Sequence, residues 1–101
     1  MKKKNPIRKG ANIQEFSAVS EGKELIFKVQ EPTFEQLAYS MSKLTKLSGE
    51  IDLASAGKAI WDSCVVEFDE EIEKKPIILV GACLKLTEEY IQGVDVEVKK
   101  K

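Results

Sequence analysis

The stretch of sequence that decides the fold is residues 76–91, which read PIILVGACLKLTEEYI. Wound as a helix, it gathers Lys85, Glu88 and Glu89 into one narrow wedge and leaves most of the circumference apolar. A surface helix usually carries an apolar stripe only a little over ~100° wide, so the pattern predicts a helix covered on more than one side. Two interpretations stay open, a central core helix or a face shared with another subunit. The candidate contacts in the second are Val80, Leu84 and Ile91.

Working outward from this helix, the upstream sequence predicts a hairpin followed by two helices. Residues 15–19 and 24–29 show strand patterning, clearest in the period-two alternation of the second run, and a four-residue connection with Gly joins them. Thr33 and Gln36 have the spacing of a capping box, which predicts a first helix over 34–46. Asp52 can cap a second helix over 53–65. Its interior Gly57 costs roughly 1 kcal/mol against Ala, and either a close helix crossing or chance explains it.

Downstream of residue 93 the chain alternates valine with charge, which predicts a terminal strand. Val94, Val96 and Val98 alternate with Asp95 and Glu97. The predicted fold is therefore α+β with the order β-β-α-α-α-β. A small antiparallel-rich sheet, made of the N-terminal hairpin plus the C-terminal strand, is packed by three helices. An edge strand of this kind can also extend a neighbour's sheet, so Val96 is a candidate partner contact.

Composition predicts one small domain without a strong electrostatic preference. The chain has 101 residues, with 16 Lys and Arg against 17 Asp and Glu, so the net charge gives no reason to bind nucleic acid. We expect a flexible basic tail over 1–12, a domain over 13–98 and a lysine tail over 99–101. No apolar stretch reaches the ~18 residues that span a membrane, and no signal-like segment is seen. The expected compartment is the reducing cytoplasm.

The sequence offers little catalytic equipment. Histidine is absent, which removes the commonest general base near neutral pH. Cys64 and Cys83 are 19 positions apart and do not form a zinc motif, and the glycines are scattered without a phosphate-binding loop. We therefore expect no enzyme activity, no cofactor and no metal site.

An acidic segment at 67–73, EFDEEIE, is the remaining feature of interest. It is either a solvated linker between helices or a docking segment, in which apolar anchors sit inside a charged rim. Tyr39 lies off the predicted inner face of the first helix and is a second candidate contact. The candidates from these two places are Tyr39, Phe68, Asp69, Glu70, Glu71 and Ile72.

The arrangement of these elements resembles a known family. The resemblance rests on PTFEQ at 32–36, IWDSCVV at 60–66, the acidic turn at 69–71, the Pro-led apolar helix and the Val/Glu/Lys end, and it covers roughly 24–101. The chain resembles the tail assembly chaperones of long-tailed bacteriophages and prophages. The basic N-terminal segment is not part of that pattern.

The resemblance implies a non-enzymatic protein of the bacterial host cytoplasm that is absent from the mature virion. Such a chaperone binds and solubilises the tape measure protein, helps recruit tail-tube protein, and is expected to form homo-oligomers. Two other functions remain open at this point. One is a structural phage or bacterial adaptor that stays in a particle, and the other is a weak nucleic-acid-binding module that uses the basic termini.

Overall fold

The computed structural model describes residues 1–93 and 96–99, and it confirms the α+β class with an antiparallel sheet packed by helices. The predicted order β-β-α-α-α-β is roughly matched, with one strand in mid-chain. The elements are β1 (Lys2–Lys3), β2 (Ile13–Ser20), β3 (Lys23–Gln30), α1 (Phe34–Ser42), α2 (Leu53–Cys64), β4 (Val65–Phe68), α3 (Glu71–Lys74), α4 (Pro76–Thr87) and a π-helical turn (Glu88–Gln92).

The hairpin of β2 and β3 is longer than the sequence pattern suggests. All eight residues of each strand pair, with Phe16 opposite Phe27 and Ser20 opposite Lys23. Only Glu21 and Gly22 remain for the turn, and both have positive φ, at 53° and 76°. A two-residue turn of this hand matches the twist of the flanking strands, so the two strands continue up to the turn.

The strand β4 lies where the sequence pattern predicted the end of a helix and a linker. It pairs antiparallel with β3, and the sheet order is β1-β4-β3-β2. Residues 96–99, predicted as part of a terminal strand, lie outside the sheet, while Val94 and Asp95 lie outside the described residues. The strand β4 occupies the side of β3 away from β2, so within the described part of the chain the long exposed edge is that of β2.

The N-terminal residues differ from the expected flexible tail. Lys2–Lys3 form β1 on the outer side of β4, and the backbone of Lys4 donates to the Val66 carbonyl at 3.0 Å. The side-chain amide of Asn5 donates to the carbonyls of Asp62 and Val65, each at 2.9 Å. These contacts arise because an exposed strand offers unpaired backbone groups, and the segment satisfies them.

The helices begin as predicted but pack partly differently. The capping box of Thr33 and Gln36 is present, and Pro76 stands in the first turn of α4. However, α1 ends at Ser42 instead of residue 46, and its Phe34 and Met41 are exposed. Its buried polar contact is instead Ser40, whose hydroxyl donates to the Ala56 carbonyl of α2 at 2.6 Å.

The core lies between the sheet and the helices, with Trp61 at its centre. The indole of Trp61 is fully buried and lies 5.2 Å from the Phe27 ring and 5.5 Å from the Phe68 ring, centroid to centroid. Aromatic pairs at such distances add to the stabilisation from area burial alone. The helices α2 and α4 cover this cluster and cross at Gly57, where a Cβ would overlap the Cys83 carbonyl.

Candidate functional site

An apolar groove runs between β2 and α4. Its volume is about 720 Å³, and its rim carries Glu15 and Lys85. The groove exists because β2 is the last strand of the sheet and α4 packs beside it without covering its outer edge. The apolar residues that line this β2–α4 groove include Phe16, Ala18, Ile77, Ile78, Gly81 and Ala82.

The outer side of α4 continues this apolar surface. Lys85 is the only charged residue within Pro76–Thr87. The helix buries Ile78, Ala82 and Leu86 in the core. Its other side leaves Ile77 80% exposed and Leu84 41% exposed, with Val80 between them. We call Ile77, Val80 and Leu84 the α4 stripe; their spacing of three and four residues places them on one helix face. The core interpretation is therefore confirmed for one face of the helix, and contact of the α4 stripe with another subunit stays a prediction.

The edge of β2 that borders the groove carries backbone groups without a strand partner. The Glu31 amide donates to the Asn12 carbonyl at 2.9 Å, which marks that pair as a hydrogen-bonded one. Pairs alternate along an antiparallel ladder, so the N–H and C=O groups of Glu15, Ser17 and Val19 point away from β3. Among the described residues no strand lies on that side.

The apolar residues of the acidic segment are structural, which corrects the docking interpretation for Phe68 and Ile72. Phe68 and Ile72 are buried in the core, so they are unavailable as partner anchors. Asp69 accepts the Ile26 amide at 2.7 Å, and its own amide donates back to the Ile26 carbonyl at 2.9 Å. The segment is buried on its apolar side because β4 brings it against β3.

The other acidic candidates make exposed ion pairs. Glu71 lies 2.9 Å from the Lys23 ammonium, and this contact lowers the pKa of the Glu71 carboxyl. Glu70 lies 3.7 Å from Lys74. Exposed pairs of this kind contribute little to stability, and neither residue lies in the β2–α4 groove.

The remaining predicted contacts lie on separate parts of the molecule. Tyr39 is exposed on α1, with the Lys43 ammonium 5.0 Å above its ring. Ile91 is partly buried against the core. Val96 is 88% exposed. The structure thus brings Val80 and Leu84 together and leaves Tyr39 and Val96 on other elements.

The groove residues Phe16, Ala18 and Gly81 were not predicted as contacts. Residues 16 and 18 of a strand lie on the same face, but nothing in the sequence marks that strand as an edge. Gly81 has open space where its Cβ would be. This property depends on how the neighbouring elements pack, so the local sequence does not reveal it.

The titratable groups of the core are poor nucleophiles. Burial raises the pKa of the Cys83 thiol to about 11 and raises the pKa of Cys64 as well. Burial also raises the pKa of the Tyr90 hydroxyl to about 12. All three groups are protonated at neutral pH. Within the described residues there is no cluster of three or more potential metal-binding side chains.

None of the helices in the described part of the chain has the length and apolar character that crossing a membrane takes. The sequence matches no family model, no curated protein and no solved structure.

Proposed function

We propose that this chain is a non-enzymatic tail assembly chaperone that binds the tape measure protein of a long-tailed phage or prophage. It keeps that client soluble and helps recruit tail-tube protein in the host cytoplasm, and it is absent from the finished particle. The observation that carries the proposal is the α4 stripe, an exposed row of large apolar side chains on a helix that also forms part of the core.

The α4 stripe suits a helical client. An amphipathic helix binds a groove through apolar anchors repeated every three or four residues, and Ile77, Val80 and Leu84 offer matching positions. Gly81 lies between them with nothing within 4 Å of a Cβ built there. A client backbone can approach closely at a glycine because no side chain keeps it away.

A binding role also agrees with the chemistry of the chain. Its two thiols are buried and protonated near neutrality, and histidine is absent from the sequence. Sheltering apolar surface requires neither a nucleophile nor a general base. In this proposal the chain therefore acts only through the apolar side chains that α4 exposes.

The test is co-expression of the chain with the tape measure protein encoded by the same phage or prophage. We expect the wild-type chain to keep that protein in the soluble fraction and to co-purify with it. Leu84→Asp should lower the affinity by about tenfold or more, because burying a Leu side chain contributes ~1.5–3 kcal/mol and a buried unpaired carboxylate is unfavourable.

The matched control is Leu47→Asp, the same change at an exposed leucine in the loop between α1 and α2. It should leave binding unchanged, and both variants should keep the wild-type circular dichroism spectrum. A tape measure protein that stays insoluble beside the wild-type chain would refute the proposal. Recovery of the chain in purified virions would favour a structural adaptor instead.

A further inference from the structure

We propose that residues 96–99 of a second copy of this chain add to β2 as an antiparallel strand and place Val96 and Val98 in the β2–α4 groove. This inference concerns contacts between copies of the chain and requires no client, although Ile77 and Gly81 border both the groove and the α4 stripe. It begins from two complementary features, an open strand edge bordered by an apolar groove and a strand-patterned segment whose valines are 88% and 90% exposed.

The side-chain faces fit when Val98 lies opposite Phe16 and Val96 lies opposite Ala18. Residues directly opposite in a ladder point to the same face of a sheet, and Phe16 and Ala18 point toward α4. Both valines therefore enter the groove, beside Ile77. Their pairs with β2 are the closer, non-hydrogen-bonded kind, in which side chains are nearest.

The backbone fits in the same register. Lys99 is then opposite Glu15 and Glu97 is opposite Ser17. Glu15 and Ser17 are the β2 residues whose N–H and C=O groups point away from β3. Four backbone hydrogen bonds can form between these two pairs, so the added strand satisfies groups that otherwise face solvent.

Charge favours this register over one of its two neighbours. On the open face of the sheet, Lys3 pairs with Glu67, Glu67 with Lys28 and Lys28 with Glu15, and Lys28 lies 3.8 Å from Glu67. Lys99 opposite Glu15 continues this alternation of sign. A shift of two residues in one direction places Glu97 opposite Glu15, and like charges directly opposite each other are destabilising.

The added strand has to come from another copy. Tyr90 donates to the Gln14 side chain at 3.3 Å, so the chain leaves the π-helical turn at the Gln14 end of β2. The antiparallel register needs Val96 near Ala18, about 14 Å along the strand. The four residues from Gln92 to Val96 reach roughly that distance when fully extended, which leaves none for the reversal. A second copy related by a two-fold axis donates and accepts equally, which closes a dimer.

The first experiment is sedimentation equilibrium of the purified full-length chain across a concentration series. The wild type should dimerise, and Val96→Asp with Val98→Asp should give a monomer with an unchanged circular dichroism spectrum, because both valines are exposed in the monomer. Glu15→Lys and Lys99→Glu should each weaken the dimer about fivefold or more, and the double variant should recover. A monomeric wild type, or a double variant as weak as the singles, overturns the proposal.

The second experiment tests whether the contact is between copies. Ala18→Cys chains are mixed with Val96→Cys chains under mild oxidation. A non-hydrogen-bonded pair has Cα atoms ~4.5 Å apart, which a disulfide spans, while native Cys64 and Cys83 are buried. A mixed disulfide dimer is expected, with less product when Val98→Cys replaces Val96→Cys. Equal yields from the two pairings, or an intrachain disulfide in the Ala18→Cys, Val96→Cys double variant, overturns the proposed pairing.

Discussion

Replacing Gly57 with alanine tests the helix crossing on which the core depends. A Cβ at this position would overlap the Cys83 carbonyl oxygen, lie 2.5 Å from the Cys83 carbonyl carbon and lie 2.8 Å from the Thr87 hydroxyl. Both neighbours belong to α4, and the Cys83 atoms are backbone, so no side-chain rotation relieves the clash. The helices α2 and α4 must move apart.

The size of the effect follows from that movement. Heavy atoms in contact are ~3.5–4.0 Å apart and the Cys83 oxygen lies closer to the built Cβ than the carbonyl carbon does, so the helices separate by more than ~1 Å at the crossing, which forfeits about half or more of the dispersion energy there. Overpacking of this kind costs ~1–3 kcal/mol. The Thr87 hydroxyl donates to the Leu53 carbonyl at 2.6 Å, and losing that bond costs ~1 kcal/mol more. The higher helix propensity of alanine offsets ~1 kcal/mol of this loss. Gly57→Ala should therefore destabilise the fold by about 1–3 kcal/mol.

The assay is urea unfolding followed by the fluorescence of Trp61, the single and fully buried tryptophan. The matched control is Gly81→Ala, the same substitution in α4 at a position with open space around the built Cβ. The control should stabilise the fold by ~0.5–1 kcal/mol, because only the helix propensity changes. If Gly57→Ala is as stable as Gly81→Ala, the helices do not cross at backbone contact and the packing argument fails.

Three further predictions concern the segments that the sequence pattern misjudged. Ile72→Ala should cost ~2–5 kcal/mol in urea unfolding, while Ile77→Ala should stay within ~0.5 kcal/mol; equal costs would place Ile72 outside the core. Asn5→Ala should cost ~1–2 kcal/mol through its two lost hydrogen bonds to backbone carbonyls, whereas a mobile N-terminus would show no change. The Trp61 indole N–H, and then Lys4, lower the pKa of Glu73 below its ordinary 4.5. The Glu73 carboxylate therefore stabilises the fold above pH 4.5, and this stabilisation is lost as the pH falls through the pKa of the folded state. Glu73→Gln should therefore be less stable than wild type at neutral pH by a margin that shrinks below about pH 4.5 in acid titrations of stability, and a margin independent of pH would contradict this.

Local signals predicted the elements that local chemistry determines. The capping box at Thr33 and Gln36 and the proline in the first turn of α4 are confirmed, because their interactions lie within four residues. The hairpin was predicted for the same reason, although its turn was placed over four residues instead of two. Alternation in β3 predicts a half-buried strand. It does not predict the length of the turn, which depends on which residues adopt a positive φ.

The elements that were missed depend on distant partners. The strand β4 has four residues and pairs with β3, which lies nearly forty positions earlier; such a short run shows no period of its own. Phe68 and Ile72 stand among carboxylates in the sequence, yet both face the core because β4 fixes which side of the segment is inside. The N-terminal segment is polar, and it is ordered because β4 offers backbone partners to Lys2–Lys3.

The apolar arc of α4 shows why periodicity alone left two interpretations. The width of the apolar arc depends only on which residues are apolar. It is therefore the same whether those residues face their own core or another molecule. The core holds Ile78, Ala82 and Leu86, while the α4 stripe remains at the surface. Exposed apolar area of this kind lowers solubility unless something covers it. Val80 and Leu84 are therefore the positions whose apolar area the proposed contact with a client would cover.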